Sequence, residues 1–207
     1  MKILIAVPCM DEVAAGFAQS LATLDKVGDC VVTFIVGSLI YESRNKICKQ
    51  AIEIGADYVM WFDSDMVIPH DTMSRLLEDE KDIVSGLYFR RVSPYTPVAF
   101  KEIRLSDGEE QGHWEGFDDY PENTLFELEG IGFGCVLLTT DVLMDIASKY
   151  GTWFDPIGHY GEDLSFCIRA KECGYKIWLD SRIKLGHVAK TVIGEEFYKA
   201  VKGVKSK

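Results

Sequence analysis

The sequence predicts an α/β protein in which helices cover both faces of a mostly parallel sheet. Two observations carry that expectation. Short, largely apolar runs recur at 3–7, 31–36, 58–62 and 83–88, the pattern of strands buried on both faces. Segments of helical spacing lie between them, and strand–helix alternation builds a layered α/β core. At 207 residues and 47% hydrophobic, the chain suits one domain with a sizeable core.

The first run, 3–7, reaches Pro8 and is followed by a helix whose stripe is Phe17, Leu21 and Leu24, with Gly28 beyond its end. The second run, 31–36, is expected as a buried strand stopped by Gly37-Ser38. A helix over 43–54 places Ile47, Ala51 and Ile54 on one side, with Ser43 as N-cap and Gly55 as stop. The third strand covers 58–62, Pro69 opens a helix bearing Met73, Leu76 and Leu77, and 83–88 is the fourth strand. Residues 89–129 lose any period and read as hairpins and loops. After the glycine-rich turn at 130–134 come a strand (135–138), a helix (141–150), a loop (151–161), a helix (162–173), a strand (176–179) and a lysine-bearing helical tail.

The net charge is −11, which argues against a nucleic-acid partner, since duplex binders carry surplus Lys and Arg. Nine of the 33 acidic residues lie between Leu105 and Glu129, where there is no Lys or Arg. The rest of the chain is therefore nearly neutral, and the segment reads as a solvated hairpin or an acceptor-facing flap. Six scattered cysteines without a CxxC pair fit buried reduced thiols and a cytoplasmic protein. No run approaches the length of a membrane helix.

Asp63-Ser64-Asp65 directly follows the third strand. In an extended chain side chains two apart share a face, so both carboxylates would converge at the carboxyl end of a strand, where open α/β sheets bind ligands. Paired carboxylates suit Mg²⁺ or Mn²⁺, which keep positions for diphosphate oxygens; the same residues also suit a plain turn. Glu162 and Asp163 open a helix, where acids complement the dipole or, in a site, serve as general base. His187 follows an apolar stretch and could complete a metal site begun at Asp65. Arg44 could reach a phosphate or base edge, or pair with Glu42 or Asp57 on the surface. Gly130, Gly132 and Gly134 would let backbone approach a ligand closely. Trp61, Trp153 and Trp178 read as core, with Trp153 also placed to stack on a sugar.

Taken in order, these pieces resemble the GT-A fold of nucleotide-sugar glycosyltransferases, a Rossmann-like three-layer α/β/α sandwich. The matching stretches are 3–12 (ILIAVPCMDE), Ser43-Arg44-Asn45, 56–69 (ADYVMWFDSDMVIP), 130–138 (GIGFGCVLL) and 161–187 (GEDLSFCIRAKECGYKIWLDSRIKLGH). The resemblance implies one domain over 1–207: a nucleotide-sugar-binding half (1–90), an acceptor half (91–190) containing the acidic insertion 105–129, and a tail (191–207). It implies that Pro8, Cys9, Asp11, Glu12 and Arg44 line the nucleotide pocket. Asp63 and Ser64, with Gly132, Phe133 and Gly134, would also meet the donor. Asp63, Asp65 and His187 would hold Mn²⁺ or Mg²⁺. Asp163 would deprotonate an acceptor hydroxyl and Glu162 would orient the acceptor, giving direct attack with inversion. The donor would be a UDP-sugar by family frequency and the acceptor a glycan, lipid-linked sugar or protein. Where many relatives carry an Asp-Asp-Gly-Ser loop, this chain has Val36-Gly37-Ser38-Leu39, which leaves GDP and dTDP open.

Two alternatives compete. Residues 63–67 (DSDMV) also fit the signature of haloacid-dehalogenase-like phosphatases, with Asp63 as nucleophile, although that motif follows a first strand and this one a third. A GT-A scaffold could also bind a nucleotide sugar or glycan without turnover.

Overall fold

The computed structural model describes residues 1–37, 39–104, 113–190 and 195. Its centre is a seven-stranded sheet ordered β2-β1-β3-β10-β5-β11-β8. Strands β1 (Lys2–Cys9), β2 (Asp29–Val36), β3 (Tyr58–Phe62), β5 (Ile83–Leu87) and β11 (Ile177–Lys184) run in one direction, and β10 (Cys135–Thr139) and β8 (Leu125–Leu128) in the other. Ile3 to Val7 are fully buried because helices cover both faces of β1.

On one face α2 (Ile40–Glu53), α4 (Thr140–Tyr150) and α5 (Glu162–Glu172) cover the core around Leu4, Trp61, Val136 and Phe166. On the other, α1 (Ala15–Thr23) and α3 (Thr72–Glu78) cover Ile3, Ile5, Met60 and Leu137. These are the three layers expected. β10, from the second half of the chain, lies between β3 and β5, so the halves share one sheet. Two small sheets complete the framework. β4 (Met66–Val67) pairs with β12 (Gly186–His187), and β6 (Ala99–Arg104) pairs with β7 (His113–Gly116) and β9 (Gly130–Ile131).

Several local expectations are corrected. β2 is an edge strand and not a buried one: Val31, Val32, Phe34 and Val36 are exposed. A mostly apolar run cannot distinguish a central strand from an edge that happens to be apolar. Helix α2 begins at Ile40, so Ser43 is a buried residue of its first turn, its N–H already donating to the Leu39 carbonyl, and no N-cap. The strand expected at 176–179 is β11, which extends to Lys184. Within the acidic segment, 113–116 pairs antiparallel with β6, and 125–128 is a strand of the main sheet, with Glu127 paired to Lys176 and Glu129 to Lys171. Residues 105–112, Ser38 and nearly all of the 191–207 tail lie outside the described residues. Among those described, no helix is long and apolar enough to cross a membrane. All six cysteines are free thiols, four of them buried.

Candidate active site

β1 and β3 end side by side at Cys9 and Phe62, and the chain leaving each opens a cleft of about 760 Å³. Pro8, Cys9, Asp11 and Glu12 line it from the end of β1, and Asp63, Ser64 and Asp65 from the end of β3. Glu162 and Asp163 approach from α5, His187 from β12 and Arg44 from α2. Residues separated by well over 100 positions thus meet at the carboxyl ends of parallel strands, the place where open α/β sheets bind ligands.

Arg44 organises one wall. It shares the inward face of α2 with Ile47, Cys48 and Ala51, one helical turn apart, and only 2% of its side chain is exposed. Its guanidinium lies among the rings of Trp61, Phe133 and Phe154, with centroids 5.2 to 5.7 Å away. Three carboxylates compensate the buried charge: Asp63 at 3.0 Å, Asp163 at 3.5 Å and Glu162 at 3.8 Å. Burial alone would lower the Arg44 pKa, but these acids outweigh it and the pKa is raised. The surface pairing of Arg44 with Glu42 or Asp57 therefore does not occur. The inward direction was readable, because residue 44 continues the stripe of Ile47, Cys48 and Ala51.

Asp163 stands between opposing influences. Burial pushes its carboxyl up to about 7; Arg44 pulls it down, Glu162 and Asp63 push it up, and the Phe133 N–H, 3.2 Å from Oδ2, pulls it down. No side-chain cap is made at the start of α5, so Asp163 is spent on the cleft and not on the helix terminus. A carboxylate that titrates near neutrality can take and return a proton at working pH.

The opposite wall is built differently. After Phe62 the chain turns, with the Met66 N–H donating to the Asp63 carbonyl, so Asp63 and Asp65 are not on one extended face. Asp63 turns to Arg44, and Asp65 to His187, whose Nε2 lies 3.3 Å from its Oδ1, and to Arg91. The β4–β12 pair fixes this register by setting His187 opposite Met66. The Phe89 carbonyl lies 2.8 Å from His187 Nδ1; a carbonyl only accepts, so Nδ1 carries the hydrogen and Nε2 is left for Asp65 or a metal. The hydrogen bond to Asp65 raises the His187 pKa, against the effect of burial. Burial alone would raise that of Asp65, but the hydrogen bond and charge of His187, with Arg91, bring it below the usual value.

The donor set fits a divalent cation in part. Asp65 and His187 supply a carboxylate and an oriented imidazole, and such ions complete their shell with substrate phosphates and water. The three-ligand set is not assembled: Asp63 is engaged by Arg44, and among the described residues no group of three His, Cys, Asp or Glu is gathered to hold a metal.

Gly132, Phe133 and Gly134 do not line the cleft. A Cβ at Gly132 would run into the Tyr88 hydroxyl and Val98, and one at Gly134 would lie 2.8 Å from the Tyr88 ring. The glycines therefore admit Tyr88, not a ligand. Buried Tyr88 accepts the Gly134 N–H at 3.0 Å and meets the His187 ring edge-on at 5.9 Å, linking the two walls. It is a site residue that sequence reading missed, since nothing local distinguishes it from a strand-end core tyrosine. Trp153 is buried with Nε1 donating to the Leu143 carbonyl at 2.7 Å, which removes it as a sugar platform.

No family model and no curated protein matches the chain. Among solved structures it is similar to A197 from STIV, with a TM-score of 0.64 and 19% identity over 92% of this chain and 87% of that one. It is also similar to GalNAc-T7 solved with UDP, GalNAc and Mn²⁺, with a TM-score of 0.61 and 9% identity over 92% of this chain and 43% of that one. At these identities the likeness is one of fold, and the fold is that of a mixed α/β sheet flanked by helices, similar to a GT-A glycosyltransferase structure.

Proposed function

We propose that this protein is a metal-dependent glycosyltransferase of hexosyltransferase type, which moves a sugar from a nucleoside-diphosphate sugar, UDP first among the candidates, to an acceptor hydroxyl. The observation that carries the reading is that Asp163, titrating near 7, and the Asp65–His187 pair face one cleft of nucleotide-sugar size. The cleft also holds Asp11, Glu12, Asp63 and Glu162, and its acids outnumber its cations Arg44, Arg91 and Lys190, so added positive charge favours a diphosphate there. Asp65 and His187 would hold a Mn²⁺ or Mg²⁺, which would supply that charge and offset the charge developing on the leaving group.

Pro8, Cys9, Asp11 and Glu12 bound the nucleoside end. Asp63 is held by Arg44 toward the ribose and is not a metal ligand in this reading. Asp163 takes the proton of the acceptor hydroxyl, oriented by Glu162. The acceptor oxygen then bonds to the anomeric carbon as the bond to the diphosphate breaks, with inversion and release of the nucleoside diphosphate. The acceptor is a glycan, lipid-linked sugar or protein. No observation favours the phosphatase alternative, because Asp63 is tied to a buried guanidinium.

The test is sugar transfer or hydrolysis from UDP-, GDP- and dTDP-sugars with and without Mn²⁺. One donor class should turn over with metal, and Asp163→Asn should cut turnover by about 10²- to 10⁴-fold. Binding without turnover of any of them would make the protein a binding module. Release of free phosphate from sugar phosphates alone would restore the phosphatase.

A further inference from the structure

Two cations at the cleft have no part in the chemistry above, Arg91 and Lys190. Arg91 sits on the strap that leaves β5. The strap closes on itself at its base: the Arg90 N–H donates to the Thr96 carbonyl at 2.9 Å, the Val98 N–H to the Tyr88 carbonyl at 3.1 Å, and Phe89 bridges to Pro97. Arg91 is thereby presented at the cleft mouth from an anchored loop, with 56% of its side chain exposed. Its guanidinium contacts Asp65 Oδ2, while His187 Nε2 faces Oδ1. In this structure Arg91 is thus the cation on the carboxylate assigned to the metal.

We infer that Arg91 exchanges seats: it holds Asp65 until a divalent cation and a nucleoside diphosphate enter together, then transfers its guanidinium to the diphosphate. The inference rests on the donor-binding reading above. A divalent cation on Asp65 repels a guanidinium at the same carboxylate, so the two compete. The pair is easily broken, since an ion pair with one member more than half exposed is weak. Once released, a planar fork of donors on a long side chain finds its best partner in phosphate oxygens, which it can grip bidentately. Asp63 is no rival for it, because it is already held by Arg44. Arg91 is therefore opposed to metal binding alone and favourable to metal and donor together, which makes the two ligands bind cooperatively.

The experiment titrates Mn²⁺ alone into the full chain by electron paramagnetic resonance. It then titrates UDP at saturating Mn²⁺ by calorimetry, using wild type, Arg91→Ala, Lys190→Ala and Asp65→Ala. Arg91→Ala should bind Mn²⁺ alone about two- to fivefold more tightly and UDP with Mn²⁺ about tenfold or more weakly. Lys190→Ala removes the same charge from the same cleft without touching Asp65, and should leave Mn²⁺ affinity near wild type. Mn²⁺ affinity unchanged or weakened in Arg91→Ala, an equal gain in Lys190→Ala, or unaltered UDP affinity in Arg91→Ala would each overturn the exchange. If Mn²⁺ binding needs Asp65 but ignores Arg91, the exchange alone falls. If it survives Asp65→Ala unchanged, the metal assignment falls with it.

Discussion

The two walls of the cleft hold carboxylates in opposite ways. On one, Asp163 shares a buried guanidinium with two other acids over a floor of aromatic rings, and is pushed up to about 7. On the other, Asp65 faces His187 and the exposed Arg91, and is held below the usual carboxylate range. The residue type is the same; the ratio of acids to cations and the degree of burial differ. Environments that push paired titratable groups apart are what divide proton transfer from charge binding within one site.

The largest expected effect breaks the first wall. Arg44→Ala leaves three carboxylates clustered without their cation and should cost about 3 to 5 kcal/mol of stability. Asp65→Ala removes only a partly exposed pair and should cost about 1 kcal/mol or less. Urea unfolding of both variants checks this, and equal losses would erase the distinction between the walls.

A second prediction uses the sign of the Asp163 shift. Its carboxyl keeps a proton up to about pH 7 in the native state, whereas an unfolded Asp releases it near 4. Between these values the native state binds more protons, so the group costs stability as pH rises, and the full cost is present above 7. Asp163→Asn should therefore be more stable than wild type by roughly 1 to 3 kcal/mol at pH 8, less than the full shift because Arg44 is shared. The difference should vanish toward pH 4 in thermal melts across that range. A pH-independent difference would place the effect in packing and not in charge.

The smallest effect sharpens the link between the walls. Gly132→Ala should displace Tyr88 from Gly134 and His187 and cost about 1 to 2 kcal/mol by overpacking. Gly151→Ala meets open space and should cost only the strain of a positive φ, about 1 kcal/mol. The Tyr88 fluorescence and hydroxyl environment should change in the first variant only.

Much of this architecture was legible in the sequence because burial on both faces leaves unbroken apolar runs, as at β1 and β3, and because Asp63, Asp65, Asp163 and His187 sit where strands and helices end. What escaped reading depended on partners far along the chain. The exposure of β2 follows from its place at the sheet edge, the split between Asp63 and Asp65 from the turn after Phe62, and the service of Gly132 and Gly134 from Tyr88, 46 residues before Gly134. Arg44 is the intermediate case: its helical phase pointed inward, but only the fold supplies the three acids that make an inward arginine tolerable.

The central claim is that one wall seats the metal–diphosphate and the other performs proton transfer. The most direct measurement is the calorimetric affinity of the preferred nucleoside diphosphate, in the presence of Mn²⁺, for Asp65→Ala and Asp163→Asn side by side. The account predicts a loss of about tenfold or more in Asp65→Ala and near wild-type affinity in Asp163→Asn. Equal losses in both variants, or undiminished binding in Asp65→Ala, would contradict it.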